Sequence, residues 1–179
     1  FLFNNLKLFN SKNIIRIIAI TNSVKKYLVN KHSVDKKRIT IVPSASDLKL
    51  RFKKFKSKKK YKIGYFGSLE KSKGSEFIIK LSKLDKENKY YIYGGDTKAV
   101  LNLKKKMFLR NLNISEYIPY NRLSHYIGKM DIVLMPSNRN KLKSLGGVGN
   151  IAKYTSPLKL FDYLASGKLI ISSKLKVFE

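Results

Sequence analysis

Short apolar runs rich in β-branched residues alternate along the chain with segments whose apolar residues return every three or four positions. The first kind predicts buried strands and the second amphipathic helices. Residues 14–20 form the first such run; Thr21-Asn22-Ser23 then supplies a helix cap, and Val24, Tyr27 and Leu28 share one helical face. A second strand is expected at 38–42, stopped by Pro43. After a polar interval the pattern becomes regular. A strand at 62–66, a loop at 67–74 and a helix at 75–84 follow, with Phe77, Ile78, Leu81 and Leu84 on the helix's apolar face. Next come a strand at 89–93 closed by Gly94-Gly95, a helix at 97–109, and a strand at 113–118 ended by Pro119. A helix at 122–129 and a strand at 131–135, ended by Pro136, come next. A long loop at 137–155 leads to a helix capped by Ser156 with Pro157 at its first position, and a strand at 169–172 is the last. No internal repeat is visible. Strands alternating with helices through short connections predict an α/β fold built on a doubly wound parallel sheet.

At 179 residues the chain is one domain's worth, with room for a real core. It holds no cysteine, which excludes a disulfide scaffold, a thiolate metal site and a cysteine nucleophile. Its two histidines, His32 and His125, are too few for a multi-histidine metal cluster, and both read as surface or packed residues. No apolar run reaches the ~18 residues of a membrane span. The chain begins at Phe1 without a basic-then-apolar leader, so it reads as part of a longer protein with no visible targeting signal.

The charge changes the picture more. Thirty-nine basic residues against 11 acidic give +28. Thirty-three of the basic residues are lysine and six are arginine. A sequence-specific reader of nucleic acid leans on the bidentate arginine fork, so specific DNA or RNA readout is not expected. Attraction to anionic lipid or to a polyanionic substrate fits better. Residues 51–62 carry eight basic residues in twelve, interrupted by Phe52 and Phe55, and read as an exposed connector rather than a dedicated patch.

In doubly wound sheets ligands bind at the carboxyl ends of strands, beside helix N-termini. Three places qualify. Gly67-Ser-Leu-Glu-Lys-Ser-Lys73-Gly74 follows a strand and precedes a helix. Its glycines would let a phosphate approach the backbone, and its lysines would add charge. The spacing is not that of a Walker A loop, and a glycine turn with solvated lysines is the plainer alternative. The second place, 136–157, contains Gly147-Val-Gly149-Asn-Ile-Ala152, a formal match to the dinucleotide fingerprint. No strand leads into it and no acid stands ~20 residues on, so it reads instead as a flexible loop covering a ligand. The third is the helix from Ser156, whose free amides could hold a phosphate or a sugar hydroxyl. Asp162 lies on that helix; its plainer reading is a surface carboxylate paired with Lys159 or Ser166.

The order of these segments resembles the retaining glycosyltransferases of family four, whose GT-B fold sets two Rossmann-like domains face to face. Ile17-Ile-Ala-Ile-Thr-Asn-Ser23 resembles the last strand of the N-domain, and Lys37-Arg-Ile-Thr-Ile-Val-Pro-Ser-Ala-Ser-Asp47 the crossover. Ile63-Gly-Tyr-Phe-Gly67 through Lys73-Gly74 resembles the phosphate loop. Tyr126-Ile-Gly-Lys-Met-Asp-Ile-Val-Leu-Met-Pro-Ser137 resembles the strand that ends in Pro-Ser. Ser156-Pro-Leu-Lys-Leu-Phe-Asp-Tyr-Leu-Ala-Ser-Gly167 resembles the specific "SPLKLFEYMASGKP" stretch.

The resemblance implies that residues 1–47 are the tail of an acceptor domain, 48–60 a basic linker, and 61–179 a donor-binding domain truncated at its C-terminus. Lys73 would contact the donor diphosphate, with Gly67, Ser68 and Gly74 forming the loop around it. Asp162 would stand where the second glutamate of the E-x7-E motif holds the ribose. Tyr154, Ser156, Pro157 and Leu158 would face the donor sugar and phosphates. Three departures stand out. The arginine expected after Gly67 is Ser68, the first motif glutamate is Tyr154, and the second is shortened to Asp162.

The implied function is transfer of a sugar, hexosyl or related, from a nucleotide diphosphate sugar to a glycan or lipid-linked acceptor with retention. It would need no cofactor and no metal, since Lys73 and helix N-termini can neutralise the leaving diphosphate. Catalytic residues would lie in the absent N-terminal half, so this chain alone should be inactive. The expected setting is the cytoplasm, peripheral on the inner face of the membrane. The rival is a non-catalytic basic module for RNA or anionic membrane.

Overall fold

The computed structural model describes residues 8–48, 55–138, 140–143 and 149–175. Its first strand, β1 (Ile17–Ala19), is followed by helix α1 (Asn22–His32) and strand β2 (Ile39–Ile41). Thr21 caps α1 as expected, its hydroxyl accepting from the Val24 amide at 3.2 Å. β1 and β2 pair in parallel as a two-stranded sheet, and Ala19, Leu28, Val34 and Ile39 form a small core between this sheet and α1.

The rest of the chain builds the main sheet. It comprises β3 (Lys62–Phe66), α2 (Ser75–Leu84), β4 (Lys89–Tyr93), α3 (Thr97–Lys106) and β5 (Leu112–Ser115). These are followed by α4 (Tyr120–Gly128), β6 (Ile132–Met135), α5 (Leu158–Ala165) and β7 (Leu169–Ser172). The five strands run β5-β4-β3-β6-β7, every neighbouring pair parallel. The order reverses direction beside β3, between β4 and β6. That switch point opens a crevice at the strands' carboxyl ends.

Central β3 shows why the sequence reads as it does. From Ile63 to Phe66 every residue is buried, because helices cover both faces of the sheet. Ile63 and Tyr65 pack with Ile78 of α2 and Val100 of α3 on one face. Phe66 packs with Ile127 of α4 and Tyr163 of α5 on the other. The buried Tyr163 hydroxyl accepts from the Phe66 amide at 3.1 Å, which ties α5 to the end of β3.

Several elements differ from the pattern-based reading at their edges. The run at 14–20 narrows to three strand residues, because the small sheet covers only one side of it; Ile15 and Ile18 face solvent. α3 stops at Lys106, where Met107 turns extended. Strand β5 begins one residue early and ends at Ser115, and α4 starts at Tyr120, with Pro119 at its N-cap. On α2 the buried face is Ile78, Ile79 and Ser82, while Phe77 and Leu84 point outward. Ser156 does not cap α5. Pro157, extended at ψ 108°, takes the N-cap position, and no side chain bonds the first turn's amides. Of the basic connector, 49–54 lie outside the described residues and 55–60 are exposed. Phe55 stacks on Tyr61, and Lys58 pairs with Asp131 at 2.5 Å, so the connector is anchored to the domain rather than wholly solvated.

Candidate functional site

A cleft of about 540 Å³ opens at the carboxyl ends of β3, β4, β5 and β6. Gly67, Ser68 and Lys73 form one wall, Gly95, Asp96 and Tyr117 another, and Thr155, Pro157, Leu158 and Lys159 a third. Its first wall is shaped by the residues after β3. The Gly67 amide donates to the Tyr93 carbonyl at 2.9 Å, carrying the sheet ladder one residue further. The Tyr65 hydroxyl donates to the Ser68 carbonyl at 2.9 Å and fixes the turn away from the strand. Glu70 caps a single 3-10 turn, Lys71–Lys73, by accepting from the amide and hydroxyl of Ser72, and these bonds hold its carboxyl below the usual range.

Gly74 ends this turn at φ 87° and opens α2. A Cβ there would run into the Pro136 carbonyl, so only glycine lets the turn pack against the end of β6. The Ser72 carbonyl accepts from the Asn138 amide at 2.8 Å and its hydroxyl from the Lys143 amide at 3.1 Å. The loop after β6 is thereby tied to the turn that carries Lys73.

Lys73 is half-buried, and burial lowers its pKa against the opposing pull of Glu70. Lys159, in the first turn of α5, reaches into the same corner. Its ammonium lies 4.1 Å from the centre of the Tyr65 ring and beside Gly67, close enough that a Cβ on Gly67 would strike it. Withdrawal from water, reinforced by the charge of Lys73, brings the Lys159 pKa down to about 7. Among the described residues neither ammonium forms an ion pair. Asp96 lines the cleft but caps α3, accepting from the Ala99 amide at 2.7 Å.

The structure thus brings together Gly67, Ser68, Lys73, Pro157 and Leu158 of the expected site, with Gly74 behind them. Other expected residues lie elsewhere. Tyr154 does not line this cleft. Its ring packs edge-on against Tyr27 at 5.5 Å and lines a separate groove with Lys26, Lys31 and Lys153. Thr155, rather than Ser156, is its neighbour that faces the cleft.

Asp162 is not a surface carboxylate paired with Lys159 or Ser166. It is 6% exposed, and its Oδ1 accepts from the Ser46 hydroxyl at 2.7 Å and from the Tyr120 hydroxyl at 3.2 Å. The Tyr120 hydroxyl also lies 2.6 Å from Asp47, and that bond is the main reason its pKa is raised to about 12. The residues before the connector are therefore joined to α5 through Asp162.

His125 is exposed and meets Tyr126 edge to face, and His32 packs between Phe9 and Tyr27. Gly147 of the formal dinucleotide match lies outside the described residues, and the Ile151 amide bonds back to the Leu142 carbonyl at 2.8 Å. Among the described residues no cluster of three metal-binding side chains occurs, and no helix is long and apolar enough to cross a membrane.

Lys159 is the residue that pattern reading missed as a site member. One signal was present. A cation in the first turn of a helix opposes the helix dipole, so a lysine there does nothing for the helix and calls for another explanation.

A five-stranded parallel α/β sheet flanked by helices, with a crevice at its switch point, matches the Rossmann-like half of GT-B glycosyltransferases. The family model "Glycosyl transferases group 1" matches residues 46–178, and the chain belongs to that family. No curated protein matches the sequence. Three solved structures show the same fold. HepE from Anabaena, in complex with UDP-glucose, is 13% identical, with a TM-score of 0.59 over 90% of this chain and 45% of its own. A glycosyltransferase from Rickettsia africae is 16% identical, with a TM-score of 0.59 over 97% of this chain and 49% of its own. A variant of S. aureus TarM, in complex with fondaparinux, alpha-GlcNAc-glycerol and UDP, is 16% identical, with a TM-score of 0.62 over 94% of this chain and 32% of its own. The chain spans about half the length of the first two and a third of the last.

Proposed function

We propose that this chain is the donor-binding part of a glycosyltransferase that moves a sugar from a nucleotide diphosphate sugar to a glycan or lipid-linked acceptor, with retention. The observation that carries the reading is the Gly67–Gly74 turn. It presents half-buried Lys73 and bare backbone across a cleft from the uncapped amides of α5. Such a site suits the leaving diphosphate, whose charge grows as the glycosidic bond to the donor breaks. Fixed amides and an ammonium in a partly dry cleft stabilise that charge without reorganising, and they do so without a metal. UDP-glucose on HepE and UDP on TarM support a nucleotide-sugar donor, and the glycan ligands of TarM support a glycan acceptor.

The acceptor site and the groups that act on the reacting carbon belong to the facing domain of such enzymes. Transfer needs both reactants held in one closed cleft, so the 179-residue chain alone should not turn over. We place the enzyme in the cytoplasm. The exposed Phe55, Lys56, Lys59 and Lys60 support peripheral contact with an anionic membrane.

Calorimetry with UDP, other nucleoside diphosphates and the free nucleosides tests the reading. Saturable, base-selective binding is expected. Lys73→Ala should weaken the diphosphates about ten- to a hundredfold and leave nucleosides unchanged. Binding of every polyanion alike, with a steep salt dependence and no base preference, would refute the reading in favour of a basic module for RNA or membrane.

A further inference from the structure

Resting on the donor-site reading, we propose that Lys159 is the second cation on the donor diphosphate, supplied from helix α5 in place of the arginine that the family resemblance puts directly after Gly67. Three independent features converge on it. The first is position. The Lys159 ammonium lies against Gly67, the stretch of bare backbone that a phosphate would approach, and it lines the cleft together with Lys73.

The second is electrostatic. Lys73 is close enough to disfavour the charge on Lys159, yet no acid among the described residues is paired with either. Of the acids nearby, Glu70 is hydrogen-bonded by Ser72 and favours the charge of Lys73 without pairing with it, and Asp96 is held by the first turn of α3. Two like charges turned into one cleft, at a helix N-terminus that also repels cations, are unfavourable until an anion sits between them. A diphosphate has the charge and the length to bridge two such groups.

The third is how the side chain is held. Tyr65 donates its hydroxyl to the Ser68 carbonyl, which locks the ring in place, and the ring face then carries the Lys159 ammonium. Position 68, where the arginine is expected, holds only a short hydroxyl that could not reach across the cleft. The cation has moved from the loop after β3 to the helix opposite.

The test is calorimetry with inorganic pyrophosphate, UDP and uridine at neutral pH. The parent chain is compared with Lys159→Gln, Lys159→Arg, Lys73→Ala and, as a control for overall charge, Lys83→Gln on the exposed end of α2. Melting curves accompany each variant. Lys159→Gln should weaken pyrophosphate and UDP about ten- to a hundredfold and leave uridine unchanged. Lys159→Arg should keep most of the affinity, and Lys83→Gln all of it. If Lys159→Gln binds pyrophosphate as the parent does while Lys73→Ala does not, the proposal is overturned and the donor reading stands. The proposal is likewise overturned if Lys83→Gln weakens binding as much as Lys159→Gln. If the parent binds neither pyrophosphate nor UDP, both fall.

Discussion

Replacing Lys159 by methionine should make the ligand-free chain more stable. The side chain's stem keeps its place on the Tyr65 ring, and only the ammonium is removed. That ammonium is held with its pKa down at about 7, first by withdrawal from water and then by Lys73. In the unfolded chain it returns to the ordinary lysine value near 10.4, a gap of about 3.5 pH units and a ceiling of ~5 kcal/mol of disfavoured charge. Water reaching the half-buried residue and the attraction of the ring face offset part of this, so a gain of about 1–3 kcal/mol is expected at pH 7. At 2–4 °C per kcal/mol for a chain of this size, the melting temperature should rise by roughly 2–12 °C.

The sign has a pH signature. A base whose folded pKa is depressed binds fewer protons folded than unfolded between the two values. The parent should therefore gain stability as pH rises from about 7 toward 10, and the variant should gain less. The advantage of Lys159→Met is greatest near and below pH 7 and shrinks at alkaline pH. The groups facing Lys159 are the Tyr65 ring, Lys73 and, across the cleft, Asp96 and Tyr117. All are common to both proteins, so the difference between the two isolates position 159. Thermal unfolding of parent and variant at pH 7 and 9, each with and without UDP, makes the comparison. A variant that melts at or below the parent at pH 7, or whose advantage is the same at pH 9, would refute the reasoning. With saturating UDP the order should reverse, because ligand stabilises only the chain that binds it well.

Gly74→Ala should destabilise the chain by more than about 2 kcal/mol in denaturant unfolding, since a Cβ at φ 87° meets the Pro136 carbonyl; an unchanged midpoint would show that the turn can move aside. Asp162→Ala should cost about 1–3 kcal/mol and Asp162→Asn less, because asparagine still accepts from Ser46 and Tyr120; equal losses would mean that the carboxylate's charge, not its geometry, holds the contact. Co-sedimentation with anionic vesicles should be weak, should fall with salt, and should drop on replacing Lys56, Lys59 and Lys60 but less on replacing Lys58, which is paired with Asp131. Equal recovery on neutral vesicles would exclude that surface as a membrane contact.

Helix α5 shows where pattern reading succeeds and where it stops. Its existence, its proline at the start and its place after a long loop are local properties, and local chemistry sets them. The same holds for β3, whose unbroken apolar run fits a strand covered on both faces. The parallel pairing is less local, yet it follows from the alternation of elements, whereas the strand order is seen only in the fold. The fates of Asp162 and Lys159 are not local at all. Three residues apart on one helix, they offer an obvious surface pair. In the fold they part. Asp162 turns to Ser46 and Tyr120, which are 116 and 42 residues away in sequence. Lys159 turns to Tyr65, in a different strand's territory. Helical spacing specifies which residues share a face of α5, but what lies opposite that face is supplied by β3, α4 and the segment ahead of the connector. The spacing that suggested a salt bridge instead separates a buried carboxylate from a cation that has no ion pair among the described residues, and that separation leaves the cleft positive.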